Sequence, residues 1–185
     1  KGTTAIRSHV DMEREGDLVT LEALLEVKAQ FRHAIDLQIV VLGAAGRDRA
    51  ADELFAEALR LDVDFVGGAP AIYRNAYEQL DAAFALAQKT GKPLDLHIDE
   101  TEDPNMRTLE RLADLTLANG MQGKVSAGHC CSLAFMQDAD ALRIIDKVAR
   151  AEINIFTLPA CNLVLMGRSL KPAPRGLTRI KELLA

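Results

Sequence analysis

Tryptophan is absent from this chain of 185 residues, aromatic residues make up only 4% of it, and it holds three cysteines. A core with so few rings has to be built from Ala, Leu, Val and Ile, which favours helices packed on a buried sheet over a β-sandwich. Two of the cysteines are adjacent (Cys130, Cys131), the third (Cys161) is distant, and no CxxC spacing occurs. A paired disulfide framework and a cysteine zinc site are therefore excluded, and the three read as buried thiols of a reducing compartment. No apolar run approaches the roughly 18 residues of a membrane helix. The opening Lys1-Gly2-Thr3 lacks the charged-then-apolar pattern of a secretory leader, so the expected location is the cytoplasm, away from membranes. Nor is there a run of Lys and Arg. With 22 basic against 27 acidic residues the net charge is −5, and nucleic acid is not an expected partner.

What the chain does have is a repeat. Short apolar runs rich in β-branched residues occur at 4–10, 37–42, 65–69, 94–98, 124–127 and 153–158. Their continuous apolarity suits parallel strands covered on both faces. Between them, residues 18–31, 50–61, 77–89, 106–119 and 138–150 carry apolar side chains three and four apart with charges between, the pattern of amphipathic helices. Asn119-Gly120 and Thr90-Gly91-Lys92-Pro93 read as helix stops, and 171–176 as a loop before a last helix over 177–184. The period is one βα unit of about 30 residues, which builds either an open doubly wound sheet or a (β/α) barrel. Ionisable residues fall at the C-terminal ends of several strands (Asp11, His97 with Asp99 and Glu100, His129), where barrel enzymes place their chemistry. The expected fold is α/β, a TIM-type (β/α) barrel in a single domain over 1–185. It is incomplete, with six strands where a full barrel has eight.

Three of the four histidines are strand-end residues. His97, in Asp95-Leu96-His97-Ile98-Asp99-Glu100, opens an acidic loop. A neutral imidazole beside carboxylates is common metal-site chemistry for zinc or iron. A core histidine followed by a solvated acidic loop is the plain alternative, and spacing does not choose between them. Strand parity puts His97 and Asp99 on one face and Glu100 on the other, so Glu100 joins His97 only where the chain has left strand geometry. His129 follows the small residues Ser126-Ala127-Gly128, and His9 precedes Asp11 on one strand face; each could be a ligand or a structural histidine, and three such placements together favour a shared pocket. His33, at the end of the first helix, reads as a surface residue. Cys130 points away from its neighbour His129, so a thiol nucleophile is not expected. The glycines form neither GxGxxG nor a phosphate loop. A metal-free lyase or aldolase would want a strand-end lysine, and Lys89, Lys92 and Lys124 lie at loops or strand starts.

As a set, Ile6-Arg7-Ser8-His9-Val10-Asp11, Asp36-Leu37-Gln38-Ile39-Val40, His97-Ile98-Asp99-Glu100, Ser126-Ala127-Gly128-His129, the NLVLMGR segment at 162–168 and the RGLTRIKE segment at 175–182 resemble the cytosine deaminase branch of the metal-dependent amidohydrolases. The resemblance implies a barrel holding one divalent metal, zinc or iron, which activates water for attack on a C–N bond of a small nitrogen heterocycle or cyclic amidine. It implies that His97 is a metal ligand and that Glu100 takes a proton from the water and passes it to the departing nitrogen. His129 would stabilise the attacking hydroxide, and His9, Asp11 and Asp99 would line or support the pocket. Members of that branch have a His-x-His pair on the first barrel strand and a metal-binding Asp on the eighth. Neither occurs here, so the chain is expected to correspond to strands two to seven, and a silent barrel fragment is the competing expectation. Its open edges also allow a homo-oligomer. Where cytosine-specific members carry a glutamine after the third strand, this chain has Gly43-Ala44-Ala45-Gly46. Ala44 offers no side-chain hydrogen bond, so a heterocycle other than cytosine is the expected substrate.

Overall fold

The computed structural model describes residues 2–12, 14, 16–43, 48–168, 170–171 and 176–185. Ala44, Gly46 and most of the 171–176 loop lie outside these residues. Six strands are formed, β1 (Ala5–Asp11), β2 (Asp36–Leu42), β3 (Phe65–Gly68), β4 (Leu94–Ile98), β5 (Val125–His129) and β6 (Asn154–Phe156). Helices α1 (Asp17–Phe31), α2 (Arg49–Ala58), α3 (Ala76–Thr90), α4 (Thr108–Ala118) and α5 (Asp138–Arg150) connect them in turn, and α6 (Pro159–Leu165) and α7 (Ile180–Leu183) follow β6. Along the sheet the strands keep sequence order, β1 to β6. The pairs β1–β2, β2–β3 and β5–β6 are parallel, with Arg7 opposite Gln38, Val40 opposite Phe65 and Ala127 opposite Ile155. Neighbouring parallel strands joined by helices are the (β/α)-barrel pattern read from the sequence.

The chain divides into two compact units, one of residues 1–69 and 78–95, the other of 70–77 and 96–185. In the first, Ile39, Val40, Val41, Val66, Phe55, Leu80 and Phe84 are buried, so the middle strand is covered by helices as its unbroken apolar run requires. Asp48 starts α2 by accepting a hydrogen bond from the Ala51 amide at 2.9 Å. Gly67 is needed where β3 meets β2, because a Cβ there would lie 2.6 Å from Val40 Cγ1 and 2.9 Å from the Val41 carbonyl. In the second unit, Leu96, Ile98, Val125 and Ala127 pack with Leu109, Leu112, Leu133 and Ile144 as the core. Gly120 ends α4 in the left-handed region (φ +63°), as its helix stop requires.

Burial on both faces fails at the outermost strands, because each has a strand neighbour on one side only: Ile6 of β1 and Phe156 of β6 are 45% and 46% exposed. β6 is shorter than the 153–158 run, covering Asn154–Phe156 alone, and Pro159 then opens α6. No helix is long and apolar enough to cross a membrane among the described residues.

Ion pairs tie α4 to α5. Glu110 takes Arg143, and Lys147 at 2.9 Å, and Lys147 also reaches Asp114 at 2.8 Å. The Arg143 guanidinium, helped by Lys147, holds the Glu110 carboxyl at about 2 against an ordinary 4.5. A carboxylate depressed in the folded state stabilises above its unfolded value and loses that contribution as pH falls through the folded one. Urea midpoints are therefore expected to fall between about pH 4.5 and 2, and Glu110→Gln should flatten that part of the profile. Identical acid profiles for the two proteins would contradict the assignment.

Candidate metal centre

Strand β4 delivers His97 and ends at Ile98. The next residue, Asp99, is left-handed (φ +48°), a conformation uncommon for a residue with a side chain. Its fully buried carboxylate turns to the start of α4 and accepts from the Thr108 amide and the Leu109 amide, both at 3.1 Å, and from the Thr108 hydroxyl. It serves as a cap supplied from another element, at the helix end that favours negative charge. Burial nevertheless pushes the Asp99 carboxyl up, against the lowering effect of the Thr108 and Leu109 hydrogen bonds. The chain has thus left strand geometry before Glu100, as parity required: the left-handed turn sends Asp99 to α4 and brings Glu100 round to His129.

Strand β5 ends the same way. His129 (φ +67°) and Cys130 (φ +50°) are consecutive left-handed residues, and the Cys130 amide still donates to the Ile98 carbonyl at 2.9 Å. Such residues cost of order 1–3 kcal/mol each and cluster where function needs an unusual direction. The turn leaves His129 only 3% exposed with both ring nitrogens engaged. Nδ1 lies 3.1 Å from Glu100 Oε1 and 3.0 Å from Asn162 Nδ2, and Nε2 lies 3.3 Å from His97 Nδ1. The two imidazoles are 4.9 Å apart between centroids and tilted by 53°. One ligand atom each from His97, Glu100 and His129 lie within 4.8 Å of one another, the single such group of three among the described residues that could hold an ion.

Other expected site residues go elsewhere. His9 Nε2 is 3.6 Å from Asp95 Oδ1, in a polar layer where Arg7 reaches Asp95 at 2.6 Å and Gln38 Oε1 at 2.9 and 3.0 Å, with its guanidinium 3.9 Å above the Phe65 ring. Burial would raise the Asp95 carboxyl, but hydrogen bonds from His9 and Arg7 outweigh it and hold the group below its usual range. Asp11 is exposed at the end of β1 and His33 just beyond α1. Gly128 does not serve a close approach, since a Cβ there would meet its nearest atoms at an ordinary 3.7 Å. Burial pushes the Cys130 thiol far up and Cys131 to about 12, so both stay protonated and unreactive. Cys161 is only half-buried, unlike the expectation, with Sγ 3.6 Å from Glu100 Oε1. Lys92 is engaged by the Val63 carbonyl at 2.7 Å.

Sequence reasoning missed Asn162, which is 1% exposed and donates to Glu100 Oε1 at 3.2 Å. Pro159, a first-turn residue of α6, was the signal for the helix that carries it.

The architecture has relatives. The amidohydrolase family model matches residues 2–185, and the chain belongs to that family. It is 38% identical over 190 aligned positions to a pterin deaminase of Rhizobium rhizogenes, covering 100% of this chain and 43% of that protein. An N-isopropylammelide isopropyl amidohydrolase of Pseudomonas sp. is 33% identical, over 72% of this chain and 34% of that protein. Among solved structures, 5-methylcytosine deaminase from Klebsiella pneumoniae liganded with phosphonocytosine superposes with a TM-score of 0.91 at 32% identity, covering 97% of this chain and 45% of that one. The chain thus spans less than half the length of these relatives.

If His97 anchors an ion, elemental analysis of the purified chain should find near one zinc or iron per chain, and His97→Ala should lose it. Equal metal content in both proteins would remove His97 from the site.

Proposed function

We propose that the chain carries the site of a metal-dependent hydrolase, a deaminase or amidohydrolase acting on a C–N bond of a small nitrogen heterocycle or cyclic amidine. The observation that carries the reading is the convergence of His97, Glu100 and His129 within 4.8 Å. Two imidazoles and a carboxylate form a nitrogen and oxygen donor set that fits zinc or iron. His97 would hold the ion, with Glu100 and His129 beside it. When bound, such an ion acts as a Lewis acid and lowers the pKa of water towards ~7.

The remaining chemistry belongs to the side chains. Glu100 is oriented by Asn162 and His129 at 3.2 and 3.1 Å, and it would take a proton from the attacking water and return it to the departing nitrogen. His129, fixed through Nδ1, would present Nε2 to the attacking oxygen from the side facing His97. Relatives named as pterin deaminase and 5-methylcytosine deaminase support a ring amine as the group lost. The net charge of −5 and the thiol content suit a cytoplasmic enzyme of small molecules, with no nucleic-acid partner, in which further copies of the chain are the one macromolecular partner considered.

Ammonia release from a panel of amino-substituted pyrimidines, triazines and pterins tests this. At least one should be hydrolysed, and Glu100→Gln should lower kcat about 10²- to 10⁴-fold, the range for loss of a positioned acid–base group, with an unchanged circular dichroism spectrum. A Glu100→Gln protein as active as the parent would contradict the assignment.

A further inference from the structure

We infer that Gly128 and Phe156 form the slot for the flat ring of the substrate, which lies over Gly128 between the His97 imidazole and the Phe156 ring. The inference rests on the hydrolase reading proposed above and names residues that grip its heterocycle. The Cys130 amide donates to the Ile98 carbonyl, and this register sets Gly128 beside His97 on the neighbouring strand. Gly128 is in turn paired with Phe156 of β6, which runs parallel to β5. Side chains paired across parallel strands share a face, so His97, Gly128 and Phe156 stand in one row. Leu158, two residues past Phe156, leans to the same place, because its Cδ1 lies 3.7 Å from where a Gly128 Cβ would be.

The backbone does not itself require a glycine at this point of the row. Gly128 is outside the left-handed region, and a Cβ on it would meet Leu158 Cδ1 and the Leu96 carbonyl at an ordinary 3.7 Å. A strand glycine packs nothing and weakens its strand, and where neither φ nor packing needs it, it marks a place that a ligand approaches. The width is that of one ring. Adjacent strands lie about 4.8 Å apart, so two spacings separate His97 from Phe156 by about 9.6 Å. A planar ring touching a neighbour on each face needs two contacts of about 3.5–4 Å, about 7–8 Å in all, and a second stacked ring does not fit. Phe156 is 46% exposed, and its ring meets an aromatic heterocycle by offset stacking or edge to face. A ring held there lies beside the group in which His97, Glu100 and His129 converge within 4.8 Å.

The test is proton NMR of pterin titrated into the full chain without added metal, which reads binding and not turnover. The parent should bind it and move its ring protons upfield, as stacking on an aromatic face does. Phe156→Leu, which keeps apolar volume, should remove most of that shift, and Phe156→Ala should raise Kd about 10- to 100-fold, the range for losing one stacked base. Gly128→Ala, whose methyl fits the free protein, should keep or raise Tm and yet weaken binding as Phe156→Ala does. No upfield shift in the parent, or parent-like shifts and Kd in Phe156→Ala and Gly128→Ala, would overturn the inference. Should the Phe156 variants fail to fold, Gly128→Ala decides it. Binding that depends on Phe156 without ammonia release would keep the slot and remove the hydrolase reading. Ammonia release with a KM indifferent to both substitutions would do the reverse.

Discussion

The site depends on how β4 ends. A regular strand would send Glu100 to the opposite face from His97. Asp99 prevents this by adopting a left-handed conformation and clamping its carboxylate on the first turn of α4, through Thr108 and Leu109. A left-handed residue costs about 1–2 kcal/mol, while hydrogen bonds to a charged acceptor contribute about 1.5–3 kcal/mol each. The clamp offsets the backbone strain, while burial of the carboxylate works against both and raises its pKa. One residue thus starts a helix and turns its neighbour into the site.

The end of β5 solves the matching problem for His129. Two successive left-handed residues carry the ring to a place where Glu100, Asn162 and His97 all lie within 3.3 Å of its nitrogens, while the Cys130 amide keeps the strand paired to the end of β4. The adjacent cysteines are spectators. Buried thiols with raised pKa values supply small apolar volume at a crowded turn and no nucleophile. The groups that could hold an ion there are imidazole and carboxylate, and the chain belongs to the amidohydrolase family.

Much of this architecture was legible because the βα period is written in apolar spacing. The bounds of β4 and α5 follow directly from their patterns, and Asn119-Gly120 ends α4 as expected. What escaped was geometry that breaks a period. The left-handed turns at Asp99 and His129 have no glycine to announce them, so parity alone placed Asp99 on the face of His97 and left the direction of Glu100 open. Helix α6 escaped because its seven residues continue the apolar run of β6, and with it Asn162. The last helix is shorter than 177–184 because regular turns begin only at Ile180. His9 was legible as a strand-end residue, but its partner Asp95 is 86 positions away, a pairing that only the fold can make.

In the proposed function, His97, Glu100 and His129 form one metal-holding hydrolytic centre. The most direct measurement is anomalous diffraction at the zinc edge from crystals of the chain grown with zinc. The expected result is a peak about 2.0–2.1 Å from a ring nitrogen of His97, on the side shared with Glu100 and His129. A peak bound elsewhere, or none at His97 in crystals saturated with zinc, would contradict it.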